Sequence, residues 1–308
     1  MDNRISAIRN EVMKAISGKD EVIDKVLTAI LAGGHILIDD IPGVGKTTMA
    51  LAFSRAMGLK FKRVQFTPDV VPSDITGFTM YNKSTESFSY VPGAAVCNFL
   101  LADEINRTSS KTQSALLEVM QEGMVTVDGK TYKLPEPFVV MATQNPIGAA
   151  GTQILPEAQL DRFMIQTSVG YPSSAAQIEI LKNRSSQNPL DFVRPVIAQA
   201  DIMDMKQKVK RIFVDDKIYQ YITSLVEATR ANEYVKLGLS PRGAIALTDM
   251  AKADAFMKGQ EFVVPENVQS VFVEVAQHRI VLLPKAQLSE VTKDKILSDV
   301  ISTVKAPK

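Results

Sequence analysis

The chain has 308 residues, 45% of them hydrophobic and 22% charged, an ordinary globular composition at a length that suggests a main domain with a smaller companion. Its 35 basic and 34 acidic residues leave a net charge of +1, so no global electrostatic footprint for nucleic acid or an anionic membrane is visible. One cysteine, Cys97, excludes an internal disulfide, and residues 1–13 mix charges with apolar side chains in place of a signal-peptide core, which suggests a cytoplasmic protein.

In chain order, Ile5, Ile8, Val12 and Ile16, then Val22, Val26 and Ile30, recur at helical spacing with Gly18 between them, predicting two helices. The apolar stretch Leu27 to Ile38 is interrupted by Gly33 and Gly34 and is too short to span a bilayer. The period then changes. His35 to Ile38, Phe61 to Phe66, Phe99 to Ala102, Phe138 to Thr143 and Phe163 to Val169 read as strands, and helical stretches separate most of them, an alternation that predicts a parallel α/β sheet. Thr79 to Tyr90, around the turn Asn82 to Glu86, and Val125 to Leu134, around Asp128-Gly129, read as two inserted hairpins. After about Pro189 the strand pattern stops. Ile218, Ile222, Leu225, Val226 and Thr229, then Ala244, Leu247, Met250 and Ala251, follow helical period, predicting an all-helical second domain. The expected division is 1–188 and 189–308.

Asp40-Ile-Pro-Gly-Val-Gly-Lys46-Thr47-Thr48 follows the first strand and opens a helix through Met49, Leu51, Phe53 and Met57, the context of a nucleotide phosphate loop. Gly43 and Gly45, flanking Val44, let backbone N–H groups turn inward around phosphates at a helix N-terminus already favourable to anions. Lys46 adds charge, Thr47 offers a hydroxyl to Mg²⁺, and Thr48 continues the cradle. The strict pattern wants glycine at position 40; aspartate tolerates unusual backbone angles better than most residues.

The buried strand Asn98 to Asp103 ends in Asp103-Glu104. Consecutive strand residues point to opposite sides, which would let Asp103 hold Mg²⁺ beside Thr47 while Glu104 polarises an attacking water. Next to a phosphate loop, that reading outweighs two acids merely capping a strand. The strand Phe138 to Thr143 leads into Gln144-Asn145-Pro146, placing the Asn145 amide at the carboxyl edge of the sheet, where open α/β sheets bind ligands.

These stretches resemble an AAA+ ATPase and, more narrowly, the MoxR family. The resemblance rests on Ile41 to Thr47, Val71 to Gly77, Leu100 to Arg107, Lys111 to Glu118, Ala142 to Pro146, Leu155 to Phe163, Ser240 to Arg242 and His278-Arg279, in an order covering nearly the whole chain. It implies that Asn145 is sensor 1, Arg162 the arginine finger and Arg242 sensor 2. It also implies a P-loop core with a five-stranded parallel sheet flanked by helices, a helical lid over the nucleotide, and a ring, usually hexameric. From the residues alone, Arg162 reads equally as half of an Asp161-Arg162 surface ion pair, and Arg242 as a packing arginine. Ile16 to Val22 resembles the family's adenine-flanking segment. His278-Arg279 matches a family motif whose role the sequence does not reveal.

The resemblance points to hydrolysis of ATP by a homo-oligomer that remodels a protein client, a von Willebrand factor A domain protein being the family's usual partner. A nucleic-acid motor or promoter-opening ATPase is the second class; the neutral charge and the lack of a DNA-binding module argue against it. A non-hydrolysing nucleotide sensor is the third, and the intact set Lys46, Asp103, Glu104, Asn145, Arg162 and Arg242 argues against that.

Overall fold

The computed structural model describes residues 2–84, 86–145, 152–184 and 188–307. Two helices open the chain, α1 (Asn3–Met13) and α2 (Asp20–Ala32). The Asp2 carboxylate caps the first by accepting from the Arg4 amide at 3.0 Å, and Gly33 at φ 85° closes the second. Of the predicted apolar positions, Ile5, Ile8, Val12, Ile16, Val26 and Ile30 are buried, whereas Val22 is half-buried and its neighbour Ile23 takes the core position.

The α/β region then runs β1 (Ile36–Asp39), α3 (Lys46–Ala56), β2 (Phe61–Gln65), α4 (Pro72–Thr76), the hairpin β3 (Gly77–Asn82) and β4 (Ser87–Pro92), then β5 (Phe99–Asp103). It continues through α5 (Ser110–Glu122), the hairpin β6 (Met124–Val127) and β7 (Lys130–Lys133), β8 (Val139–Gln144), α6 (Glu157–Leu160), β9 (Ile165–Thr167) and α7 (Ser174–Arg184). Five strands form one sheet in the order β2-β5-β8-β1-β9, parallel throughout. Both faces are covered, so β5 is buried at every position and reads as an apolar run without polar alternation.

Alternate strand residues enter two apolar cores. Ile36, Ile38, Phe99, Leu101, Val139 and Met141 face α1, α2 and α3, in a core that continues without a break into the C-terminal helices. Leu37, Leu100, Ala102, Val140 and Ala142 face the other way, onto Phe66, Ile75 and the α5 residues Leu116, Leu117 and Met120. His35 ties these layers together: its Nε2 donates to the Met120 carbonyl at 2.9 Å and its Nδ1 accepts from the Val140 amide at 3.0 Å.

Both inserted hairpins are present. Asp128 and Gly129, at φ 48° and 75°, make the turn with two left-handed residues that matches strand twist. The hairpins meet where Tyr90 stacks on Tyr132, ring centroids 4.0 Å apart and planes 13° apart. Phe78, Met80, Tyr81 and Phe88 on the first hairpin are exposed.

The C-terminal region is helical: α8 (Gln199–Arg211), α9 (Asp216–Ala231), α10 (Pro241–Met257), α11 (Pro265–Ala276), α12 (Pro284–Leu288) and α13 (Lys293–Thr303). It also holds a short antiparallel pair not anticipated from sequence, β10 (Val235–Leu237) with β11 (Val281–Leu282), too brief to register as alternation. α10 begins with Ser240 accepting from the Gly243 amide at 3.1 Å and Pro241 in the first turn. Among the described residues no helix is long and apolar enough to cross a membrane.

Candidate active site

In a parallel sheet all strands finish at the same edge, and β5, β8 and β1 are adjacent. The phosphate loop after β1, Asp103-Glu104 at the end of β5 and Asn145 after β8 therefore converge at one crevice. Pro146, which completes the motif at Asn145, lies outside the described residues.

Gly43 and Gly45 adopt φ 87° and 96°, the left-handed conformation predicted for them. A Cβ at Gly43 would meet nothing within 4 Å, so it is the backbone angle that requires glycine there. Val44 is half-buried between them. Lys46 opens α3 and is buried; its Nζ donates to the Asp40 carbonyl at 2.7 Å. Burial pushes its ammonium pKa down, against the opposing fields of Asp40, Asp103, Asp39 and Glu104. Thr47 and Thr48 are half-buried in the first helical turn. Ile16 lies beside the loop, its Cδ1 3.9 Å from where a Cβ on Gly45 would stand.

Asp40 corrects the expectation. It is absent from the positive-φ residues, so backbone tolerance is not what places aspartate there. Its side chain is a clamp. Oδ2 accepts from the Val169 amide at 2.7 Å, the Gly170 amide at 2.6 Å and the Ser168 hydroxyl at 3.1 Å, and Oδ1 accepts from the Ile41 amide at 2.8 Å. The carboxylate ties the start of the phosphate loop to the chain leaving β9, a contact glycine could not make.

The two acids diverge for a different reason than strand alternation. Asp103 is the last residue of β5, and Glu104 sits at φ 57° in the left-handed region, uncommon for a non-glycine residue and a local cost of about 1–3 kcal/mol. Thr143 of β8 supports that turn from both sides: its Oγ1 donates to Asp103 Oδ1 at 2.6 Å and accepts from the Glu104 amide at 2.8 Å. Asp103 Oδ2 also accepts from Arg63 Nη2 at 2.7 Å. Glu104 Oε2 accepts from Arg107 Nη1 at 2.8 Å. Burial raises the Glu104 pKa, and hydrogen bonds from Arg107, Asn145 and Gln65 outweigh it, so the carboxyl lies below its ordinary range and is ionised at neutral pH. Asn145 thus touches Glu104. Asn106 holds Asn145 in place, donating to its carbonyl at 3.1 Å and accepting from its amide at 3.3 Å.

Arg63, Asn106 and Thr143 were not singled out from sequence. Asn106 and Thr143 lay within the quoted motifs, but nothing local marks a side chain that bridges two strands.

Arg162 and Arg242 lie elsewhere. β9 pairs with β1 from Ile165↔Ile36 to Thr167↔Ile38, and the Met164 amide bonds the His35 carbonyl at 2.8 Å. Arg162 therefore sits where the strands start, whereas the phosphate loop leaves where they finish, roughly 16 Å further along β1 at ordinary strand rise. Its Nη1 donates to the Leu117 carbonyl at 2.9 Å. The Asp161-Arg162 ion pair does not form; Asp161 pairs with Arg279 at 2.7 Å. Arg242 is exposed in the first turn of α10, two residues after Ser240, whose hydroxyl donates to Asp161 Oδ2 at 2.9 Å.

A glycine-bent loop at a helix start, a lysine, a hydroxyl and two acids at the adjacent strand end form a site for the phosphates of a nucleotide. The Thr47 hydroxyl and Asp103 carboxylate are hard oxygen donors, and a magnesium ion that keeps its waters and takes phosphate oxygens needs few such protein ligands, so the donor set fits.

Comparison with known proteins identifies the family. The model of the ATPase family associated with various cellular activities matches residues 35–165, and the AAA lid domain model matches residues 227–300. The uncharacterized Bacillus subtilis protein YeaC is 45% identical over 96% of this chain and 92% of its own. Chaperone MoxR1 of Mycobacterium tuberculosis is 39% identical over 96% of this chain and 81% of its own. A crystal structure from Cytophaga hutchinsonii, assigned as an ATPase, superposes with a TM-score of 0.92 at 36% identity, covering 99% of this chain and 96% of that one. With the site geometry and these relatives in agreement, the chain belongs to the MoxR family of AAA+ ATPases and is itself an ATPase.

Proposed function

We propose that this ATPase works as a ring, hexameric in the family pattern, in which each ATP is bound by one subunit and attacked only when the next subunit supplies Arg162 and Arg242. The observation that carries this reading is the strand register: the phosphate loop and Arg162 stand at opposite ends of β1 and β9, so one chain cannot bring both to the same phosphate. A head-to-tail contact between copies can. Residues 1–188 form the nucleotide-binding core in this reading and 189–308 the lid.

Within a completed site the Gly43–Thr48 loop holds the β- and γ-phosphates, with Lys46 as the fixed charge. Magnesium, held by Thr47 and Asp103, would neutralise charge developing on the phosphate oxygens. Glu104, ionised and oriented by Asn145 and Arg107, accepts the proton of the attacking water, and ATP and water become ADP and phosphate. The incoming guanidiniums stabilise the charge spreading over the γ-phosphoryl oxygens, a task that suits a planar, permanently charged fork. The work is remodelling or maturation of a protein client, a reading supported by the relative named a chaperone and by the exposed apolar hairpin residues Phe78, Met80, Tyr81 and Phe88. A von Willebrand factor A domain protein is the client class we would test first.

The decisive experiment mixes two inactive variants. Arg162→Ala keeps Glu104 and Glu104→Gln keeps Arg162, so a randomly mixed ring contains complete sites at about one quarter of its interfaces. Hydrolysis should return on mixing. A mixture that stays inactive although subunit exchange is shown independently would remove the shared site.

A further inference from the structure

The segment carrying Arg162 is held by the lid, through the motif that the sequence left without a role. Arg279, just beyond α11, is 5% exposed and has all three guanidinium nitrogens bonded. Nε donates to Asp161 Oδ1 at 2.7 Å, Nη1 to the Met164 carbonyl at 3.1 Å and the Val275 carbonyl at 2.5 Å. Nη2 donates to the Phe163 carbonyl at 2.6 Å and the Asp161 carbonyl at 3.3 Å. His278 Nε2 donates to the same Phe163 carbonyl at 3.1 Å, and Ser240 reaches Asp161 Oδ2. Every carbonyl of residues 161–164 except that of Arg162 itself is thereby gripped by lid residues. Gly243 makes room: a Cβ there would stand 3.1 Å from Arg279 Cδ.

A buried arginine costs several kcal/mol in lost hydration and is tolerated only when its donors are satisfied, and a fully satisfied buried network is rigid. Lysine, with a compact ammonium and no plane, cannot reproduce four bonds fanned across one loop. The grip also leaves the Arg162 side chain out of the network; its guanidinium rests on Leu117 of α5 instead.

We propose that Arg279, with His278 and Ser240, is a positioning residue for Arg162: the lid of each subunit fixes the segment from which the finger is presented to the neighbouring copy. This rests on the reading of Arg162 as a finger acting between subunits. Movement of the lid then moves the finger, so one subunit's lid sets the reactivity of the next subunit's nucleotide.

The test treats the variants as complementation groups. Arg279→Lys, and the milder Asp161→Asn should Arg279→Lys not fold, are checked by thermal melting and by binding of ATP. ATP binding should stay within about threefold of the parent while turnover falls at least about tenfold. Mixing either variant with Glu104→Gln should restore hydrolysis, because that partner brings an intact finger. Mixing it with Arg162→Ala should not, because both lack a correctly held finger. A merely structural defect would be restored by neither partner. Full turnover in both variants, or restoration by Arg162→Ala, would overturn the proposal. Restoration of Arg162→Ala by Glu104→Gln without restoration of Arg279→Lys would overturn the positioning role and leave the finger standing. Failure of Arg162→Ala to be restored would bring down both.

Discussion

The two ends of the central sheet are built on different principles. At the end where the strands finish, the nucleotide end, the working residues follow directly from strands β1, β5 and β8, and Asn106, Thr143 and Asp40 brace them at hydrogen-bond distance. At the end where the strands start, Asp161, the neighbour of Arg162, is held by residues more than seventy positions away, Ser240 and Arg279, and Arg242 reaches solvent. The nucleotide end draws its phosphate-loop and acidic residues from one chain. The arginine end holds Arg162 and Arg242, the two cations proposed to complete the site of a neighbouring copy. In the proposed reading, separating the two within one subunit would make hydrolysis conditional on assembly.

The largest expected effects test that separation directly. Arg162→Ala should bind ATP normally and lose roughly 10³–10⁵-fold in turnover. Glu104→Gln should lose roughly 10²–10⁴-fold with affinity kept. Lys46→Ala should lose affinity itself, through a charge-assisted contact worth about 1.5–3 kcal/mol. Titration of a fluorescent nucleotide beside steady-state phosphate release separates these outcomes. Weakened binding in Arg162→Ala would mean that the arginine end also serves the ground state, and the comparison would fail.

The nucleotide end was legible because its chemistry is local. Gly43, Gly45, Lys46 and Thr47 sit in one loop, and the five predicted strands fall within about two residues of the observed ones at nearly every boundary because burial on both faces leaves plain apolar runs. The supporting contacts were not legible. Asp40 was noticed as a departure from glycine, but its partners are residues 168–170, and no pattern in one sequence pairs positions so far apart. Asp161 was read beside its neighbour Arg162 because sequence offers only neighbours; the fold supplies Arg279 instead. The outward turn at Glu104 was assigned to strand alternation because a left-handed glutamate leaves no mark in composition.

Acid should discriminate between the two ends. Both histidines of the chain are buried at the arginine end, where they bond Met120, Val140 and Phe163. Burial pulls His35 down to about 4 and His278 well below its ordinary value. A base whose folded pKa is depressed stays neutral when folded, while the unfolded chain takes up the proton. Stability is therefore full above about pH 6.5 and falls as the pH drops toward 4, by roughly 3 kcal/mol for His35. Urea unfolding at pH 7.5 and 4.5 measures the loss, and His35→Gln, which can donate and accept as the neutral ring does, should flatten the slope. An unchanged slope would show that His35 is already charged in the folded chain.

A smaller effect is expected within the nucleotide end. Asp40→Ala removes a buried carboxylate that accepts from Ile41, Ser168, Val169 and Gly170, leaving amides unsatisfied at a cost of about 2 kcal/mol. Because Asp40 sits in the phosphate loop, the variant should weaken ATP binding as well as lower the melting temperature. Asp40→Asn, which keeps one acceptor oxygen, should lie between. If ATP affinity is untouched in both, the clamp is structural only.

The smallest effect concerns the inserted hairpins. Tyr132, on β7, stacks on Tyr90 of β4, so the two insertions are joined outside the main sheet. β6 and β7 directly follow α5, the helix on which Arg162 rests at Leu117, which connects the hairpins to the arginine end. An aromatic pair contributes about 0.5–1.5 kcal/mol beyond burial. Tyr132→Ala should lower stability by about that amount with no change in ATP affinity, since the stack joins the two hairpins to each other. Tyr132→Phe keeps the ring and should keep the stability, which separates stacking from any role of the hydroxyl. If the two hairpins engage a client together, Tyr132→Ala should also weaken client-stimulated hydrolysis while basal hydrolysis stays at the parent rate. A fall in nucleotide affinity in Tyr132→Ala would mean that the ends communicate through the hairpins even within one chain, and the division between a self-contained binding end and an arginine end set by distant contacts would have to be abandoned.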